Sequence, residues 1–214
     1  MKILLNDIIQ FSDAPRELKS PMLSDYADIT TPLVINFDKE RRVNAVGIGN
    51  TDGTMFSING EAVHFSGNGL YMLCNEIKVS QIIIETDAAY IGRVAAGIGV
   101  NIPTSIAKAP GYNSTSVPRY TLSGQVIPGA GGYNYKSVSL DSRYKIDEKM
   151  MRELKEGYSF IGMGYPFFIN LTTEAYKLPF ERLYATERNQ LNMVFESGVR
   201  RFLYSKRWEF EERF

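Results

Sequence analysis

A run of alternating residues between Pro32 and Ile58 constrains this chain more than any other stretch. Apolar or small residues recur at every second position, first as Leu33, Ile35 and Phe37, next as Val43, Ala45, Gly47 and Gly49, and last as Thr54, Phe56 and Ile58. That period places alternate side chains on one face of a β-strand. Asp52-Gly53 precedes the third run, and this dipeptide tolerates the positive φ of tight hairpin turns. The stretch therefore predicts three strands joined by tight turns, the beginning of an antiparallel sheet.

Short apolar runs bounded by turn residues continue along the chain and predict further strands. They lie at 70–74, 79–85, 87–99, 165–171 and 178–184, with a last hairpin formed by 191–195 and 199–210. Residues 12–26 and the proline-bounded stretch 101–117 predict loops. One helix is predicted at 146–156, because Asp147 suits its N-cap, Gly157 its end, and Ile146, Met150 and Leu154 recur at four-residue spacing.

A long β-hairpin is predicted from 119–127 and 135–144, which flank a glycine-rich tip at 128–132. Its strands are polar on both faces in places, and such a ribbon needs a neighbour to be stable. We therefore predict an arm that projects from the core and contacts other subunits. The candidate interface residues are Gln125, Val126, Ile127, Gly129, Gly131, Gly132, Tyr133 and Tyr135.

The predicted fold class is mainly β, a two-layer antiparallel β-sandwich of jelly-roll type with the long hairpin arm and one short helix. At 214 residues and 44% hydrophobic content, the chain is long enough to bury a substantial core. Residues 1–116 are predicted to form the sandwich core and 117–145 the arm. The helix and C-terminal strands of 146–214 are predicted to complete the sandwich.

The composition argues against several classes of partner and cofactor. Lys+Arg and Asp+Glu are both 24, so the formal net charge is zero, which disfavours a nucleic acid held mainly by charge. A single cysteine, Cys74, excludes an intrachain disulfide framework and cysteine-rich metal sites. The sequence also contains no signal-peptide pattern and no apolar run long enough to cross a membrane. We expect no cofactor and no membrane or nucleic-acid partner.

The candidate catalytic and binding motifs are weak. Gly47-Ile48-Gly49 lacks the spacing of a nucleotide-binding loop and leads into a strand, so we interpret it as a sheet position that requires small side chains. His64 is the only histidine and has no neighbouring metal-ligand cluster. No nucleophile elbow is present. We therefore predict no enzymatic activity. Tyr112 and Tyr120 are candidate ligand contacts, because tyrosine is common at both sugar and protein interfaces.

Three stretches resemble virion proteins of tailed bacteriophages encoded in the tail or tail-tip cluster. They are 43–58, 123–147, and 164–171 together with 200–214. The first stretch also resembles the hairpin of galactose-binding-like jelly-roll domains. The resemblance implies a structural virion subunit, made in the host cytoplasm, that docks with other tail proteins either in a symmetric homo-oligomeric ring or at a tail fibre junction.

Three hypotheses follow. The first is a structural and assembly subunit of a phage tail, in the tail tip, baseplate or an adaptor ring, that holds its neighbours through the arm by strand addition. The second is a carbohydrate-binding module that attaches to a host glycan. The third is an enzyme acting on cell-wall glycan through an acid pair such as Asp52 and Glu61, whose separation the sequence does not give.

Overall fold

The protein is described by a computed structural model covering residues 1–64, 69–114, 119–120, 126–127, 134–142, 146–161, 165–171, 181–187, 194–197 and 202–212. Within these residues strands make up 60% of the structure, and most of them form two antiparallel sheets packed as a sandwich, with two α-helices. Four short strands form two further two-stranded sheets. The predicted β-sandwich class is therefore confirmed.

The strands and helices of the described residues follow one another in this order. The N-terminal strands are β1 Lys2–Leu4, β2 Ala27–Asp28, β3 Leu33–Thr51, β4 Met55–Ile58, β5 Glu61–His64, β6 Gly69–Thr86, β7 Tyr90–Gly97 and β8 Gly99–Asn101. The later strands are β9 Ser105–Ser114, β10 Arg119–Tyr120, β11 Val126–Ile127, β12 Asn134–Asp141, β13 Phe167–Leu171, β14 Glu181–Glu187, β15 Val194–Ser197, β16 Phe202–Ser205 and β17 Arg207–Glu212. A 3₁₀ helix Ile8–Phe11 and the short helix α1 Arg16–Lys19 precede β2, and α2 Glu148–Ile161 follows β12.

The first sheet has six strands in the order β2-β7-β3-β6-β4-β5. The stretch predicted as two strands between Leu33 and Gly49 is the single long strand β3, which pairs with β6 through two register shifts. β4 pairs with β6 and β5, so the predicted tight hairpin between β3 and β4 at Asp52-Gly53 is wrong. The polar residues near Arg41 misled the prediction, because β-bulges accommodate them without ending the strand.

The six-stranded sheet bends back on itself. β3 begins opposite Ile84 of β6, and β4 pairs with that same residue from the other side. Yet only residues 52–54 separate the far end of β3 from β4. Bulges increase the twist and bend of a strand, so the two register shifts explain how the ribbon folds over. The bend encloses a first hydrophobic core, which includes Ile35, Ile48, Phe56, Ile82 and Val94.

The second sheet has seven strands in the order β8-β1-β13-β14-β17-β12-β9. Its inner strand β13 alternates between two layers of the core. Phe167, Ile169 and Leu171 pack in a cluster with Leu154 and Tyr158 of α2, whereas Phe168 faces Ala45, Leu70 and Tyr184 between the two sheets. This alternation is the period-two pattern of a strand that is buried on both faces.

A long ribbon is present at one edge of this second sheet, but its pairing differs from that of the predicted hairpin. β12 pairs with β9, from Asn134 opposite Ser114 to Asp141 opposite Ser105, and on its other side with β17. β10 pairs with β11 instead of with β12. The loop predicted at 101–117 is therefore mostly strand. Its Pro110 lies where the register shifts, a position where an edge strand tolerates proline.

Helix α2 is longer than the predicted segment 146–156. Its predicted N-cap is confirmed, because the side chain of Asp147 accepts a hydrogen bond from the Met150 N–H at 2.8 Å. Gly157 does not end the helix but lies inside it and is buried. A Cβ atom at Gly157 would lie 2.6 Å from the Cβ of Leu5, so the glycine is explained by the close approach of α2 to the segment after β1.

Asp87 joins the β6–β7 turn to β4. Its carboxylate accepts hydrogen bonds from the Met55 N–H at 2.9 Å, and from the hydroxyl and N–H of Thr54, each at 2.8 Å. These bonds favour the ionised form and hold the pKa of Asp87 below its ordinary value of 3.8. Because the folded-state pKa is the lower one, Asp87 contributes stability that is present above the unfolded pKa and is lost as the pH falls through the folded one.

We expect Asp87→Ala to lower the melting temperature at neutral pH, and the difference from wild type to shrink as the pH falls below 3.8. Thermal unfolding followed by circular dichroism over a pH series measures both effects. Asp28→Ala, at another exposed aspartate, is the control and should leave the melting temperature nearly unchanged. A difference for Asp87→Ala that stays constant across the pH series would contradict this role of the ionised carboxylate.

Candidate functional site

Of the residues predicted as interface and ligand contacts, the structure describes Tyr112 and Tyr135 on the β9–β12 ribbon, and Tyr120, Val126 and Ile127 on the β10–β11 pair. Tyr135 of β12 is registered with Asn113, and Tyr112 of β9 with Lys136, so the ribbon brings these two tyrosines to adjacent register positions. Tyr120 of β10 is registered with Val126 of β11. Ile127, also in β11, is registered with Arg119. Gln125, Gly129, Gly131, Gly132 and Tyr133 lie outside the described residues.

A second candidate is an open polar cleft of about 610 Å³ beside the 3₁₀ helix and α1. Charged side chains dominate its lining: Arg16, Glu17, Lys19 and Asp25. Gln10, Ser20, Pro21 and the half-buried Tyr165, just before β13, complete it. The volume falls within the range of small-molecule sites in proteins. The sequence analysis missed this cleft, because residues 12–26 were predicted only as loop and Tyr165 is distant in the chain.

Hydrogen bonds hold the walls of this cleft in place. The Gln10 amide donates to the backbone carbonyl of Lys19 at 3.1 Å. The Lys19 ammonium in turn donates to the carbonyl of Ser12 at 2.5 Å. On the opposite side the Ser20 hydroxyl donates to the carboxylate of Asp25 at 2.5 Å. The short segment from Gln10 to Asp25 is therefore fixed by its own side chains.

A buried ion pair lies behind the cleft and anchors the same segment to β7. The Arg93 guanidinium binds the carboxylate of Asp7, and both side chains are buried. Arg93 also donates to the carbonyl of Leu18 at 3.2 Å. Burial raises the pKa of Asp7 against the opposing effect of Arg93, and two backbone N–H groups, of Ile9 and Ala96, help to satisfy the carboxylate.

Tyr184 of β14 connects the cleft to the second sheet. Its hydroxyl donates to the carbonyl of Pro21 at 3.0 Å, and its ring packs against Phe168 with centroids 4.7 Å apart. Burial raises the pKa of Tyr184, so its hydroxyl remains a donor. The cleft is thus built on the part of the fold where the two sheets meet.

A further cluster of buried polar side chains lies between the second sheet and α2. The Lys206 ammonium lies 2.6 Å from a carboxylate oxygen of Glu187, and both side chains are fully buried. The Tyr158 hydroxyl of α2 donates to the other oxygen of Glu187, and the ammonium lies 4.7 Å from the centroid of the Trp208 ring. Desolvation lowers the pKa of Lys206 and raises those of Glu187 and Tyr158. The Lys206–Glu187 pair lies against the Trp208 ring, and the Tyr158 hydroxyl links the pair to α2. This cluster therefore holds α2 on the sheet.

The candidate acid pair Asp52 and Glu61 takes part in strand and turn structure. The Asp52 carboxylate accepts hydrogen bonds from the N–H groups of Ala89 and Tyr90, at 3.0 and 3.3 Å, so it stabilises the start of β7. Glu61 begins β5 opposite Ile58. Within the described residues, no group of three or more His, Cys, Asp or Glu side chains is placed to hold a metal ion.

Comparisons were made with protein-family models, with curated proteins and with solved structures. None of the three found a match. Among the described residues no helix is both long and apolar enough to span a bilayer. Functional inference therefore rests on the ribbon, the cleft and the buried clusters themselves.

Proposed function

We propose that this protein is a structural and assembly subunit of a bacteriophage tail, in the tail tip, baseplate or an adaptor ring, and that it associates with neighbouring subunits through the β9–β12 ribbon. The resemblance of residues 43–58, 123–147, 164–171 and 200–214 to tail proteins motivates the phage assignment. The β-sandwich is compatible with this role, but folds of this class host many functions, so the proposal depends on the ribbon.

One observation carries the proposal: β9 is the outermost strand of the seven-stranded sheet. Within the described residues its only paired strand is β12, so its other edge presents backbone N–H and C=O groups. An edge strand of ten residues is a template for strand addition by another chain. Natural monomers usually shorten or cover such edges.

The ribbon also extends beyond the sheet to which it belongs. β17 pairs with β12 from Ser137 to Asp141, whereas β9 continues along β12 as far as Asn134. Residues 112–114 therefore run past the last β12–β17 pair, beyond the bulge. Pro110 lacks an N–H and interrupts strand addition at the bulge, which leaves 111–114 as the part of β9 available to a partner.

A shortened ribbon tests the proposal. Residues 115–133 are replaced by Asn-Gly, a dipeptide that closes a tight hairpin between Ser114 and Asn134, the last registered pair. Light scattering after size exclusion, over a concentration series, compares this variant with wild type. We expect wild type to associate and the variant to associate more weakly with a similar melting temperature, because the variant keeps the β9 edge but loses residues 115–133, which lie beyond the last pair of the sheet.

The control is Ala62→Lys, which adds a charge to β5 at the edge of the other sheet and should leave association unchanged. A wild-type protein that stays monomeric at every concentration would contradict homo-oligomeric assembly. Association of unchanged strength in the shortened variant would show that residues 115–133 take no part in the interface.

A further inference from the structure

We propose that the polar cleft beside α1 binds a neutral saccharide unit. The site is distinct from the β9–β12 ribbon, and the inference does not depend on the assembly role. The cleft volume of about 610 Å³ accommodates a small sugar, and its lining comes from α1, the segment that follows α1, and Tyr165 before β13.

The charge of the lining favours a neutral ligand. Among the described lining residues, Arg16 and Lys19 contribute two cations and Glu17 and Asp25 two carboxylates, so their formal charges cancel. The Lys19 ammonium already donates to the carbonyl of Ser12, which weakens its attraction for an anion. A phosphate-bearing ligand would meet the two carboxylates as well as the two cations, so the described lining offers it no net electrostatic attraction.

The available groups match the hydrogen-bonding chemistry of sugar hydroxyls. A hydroxyl both donates and accepts, and it therefore pairs equally well with the carboxylates of Glu17 and Asp25 and with the Arg16 guanidinium. Tyr165 adds a half-buried aromatic ring to the same cleft, and a ring face packs well against the apolar C–H face of a pyranose. An aromatic ring beside carboxylates and a guanidinium is poorly suited to a purely apolar ligand.

The cleft is preorganised, which reduces the entropy cost of binding. The Ser20 hydroxyl fixes the carboxylate of Asp25, and Gln10 is held by the carbonyl of Lys19. Behind them, the carbonyls of Leu18 and Pro21 accept hydrogen bonds from Arg93 and Tyr184. A ligand would therefore meet Gln10 and Asp25 already held in position.

The test is saturation-transfer NMR on the full chain with glucose, galactose, mannose and N-acetylglucosamine, together with glucuronic acid and glucose 6-phosphate as charged probes. We expect at least one neutral sugar to bind in the millimolar range. Glu17→Ala, Asp25→Ala and Tyr165→Ala should each weaken that binding by about tenfold or more, comparable to the loss of one hydrogen bond to a charged group. Glu148→Ala, at an exposed carboxylate of α2, should leave it unchanged.

Melting temperatures of all variants are measured alongside, because a variant that unfolds loses binding for another reason. Asp25→Asn keeps the acceptor for Ser20 and provides a milder change at the same place. No signal from any neutral sugar would overturn the proposal. So would binding that survives all three cleft substitutions, or binding of the charged probes alone. Each of these outcomes leaves the test of ribbon assembly unaffected.

Discussion

Replacing Lys206 with methionine is expected to lower the free energy of unfolding by about 3–5 kcal/mol, the usual cost of leaving one member of a buried ion pair unpaired. The Glu187 carboxylate would stay fully buried without its cation, and the Tyr158 hydroxyl would remain its donor. The variant also loses the contact between the ammonium and the Trp208 ring. Urea unfolding at neutral pH, with wild type in parallel, measures the change.

A double variant separates the electrostatic contribution of the Lys206–Glu187 pair from the contribution of the volume that the pair fills. Lys206→Met combined with Glu187→Leu should recover much of the lost stability, because an apolar pair of similar volume carries no desolvation cost. Lys149→Met is the matched control, since it removes the cation of an exposed pair with Glu153 and should cost less than about 0.5 kcal/mol. Equal unfolding midpoints for Lys206→Met and Lys149→Met would show that the buried pair does not hold α2 on the sheet.

The strands were predictable where local pattern decides the structure. The alternation from Val43 to Gly49 lies in β3, and the apolar run 79–85 lies in β6. The alanine-rich stretch 87–99, which also suited a helix, contains strand β7 because its glycines disfavour a helix. The N-cap of α2 at Asp147 was predictable for the same reason, since a cap is a contact between residues three apart.

The pairing of strands was not predictable, because it depends on residues distant in the chain. The prolines of 101–117 suggested a loop, yet β9 tolerates Pro110 at a bulge on the sheet edge. Asp52-Gly53 has the composition of a hairpin turn. Because β3 bends, however, the chain reaches the far side of β6, and β4 pairs there with β6 instead of with β3. Both errors come from reading a local turn signal without the tertiary contacts that override it.

The buried charges were also missed, although one signal was present. Lys206 has the same period-two spacing as Trp208 and Phe210, and all three side chains are buried. A lysine on an apolar face is expected to have a carboxylate partner. The sequence did not identify Glu187 as that partner, because the two residues belong to different parts of the sheet.

Gly47 is the position where a small substitution is expected to have a large effect. A Cβ atom there would lie 2.2 Å from Cδ2 of the Phe168 ring, well inside van der Waals contact, and that ring is buried between the two sheets. The sequence predicted that Gly47 needs a small side chain, and the structure identifies Phe168 as the reason. Because the ring is enclosed by both sheets, the fold must shift as a whole to relieve the clash.

We expect Gly47→Val to lower the free energy of unfolding by about 3 kcal/mol or more, at or above the upper end of overpacking costs, measured by urea unfolding. Phe168→Ala alone is expected to cost about 3–5 kcal/mol through the cavity that it leaves. The double variant should be more stable than the sum of the two losses predicts, because the valine fills part of the space that the ring vacates. Gly60→Ala is not a suitable control for the steric effect. Gly60 has a φ of +81° and no atom within 4 Å of the position that a Cβ would take, so its substitution would measure backbone strain instead. Strictly additive losses for Gly47→Val and Phe168→Ala would mean that the two positions do not pack against each other. The two sheets would then not be in contact through this pair of residues.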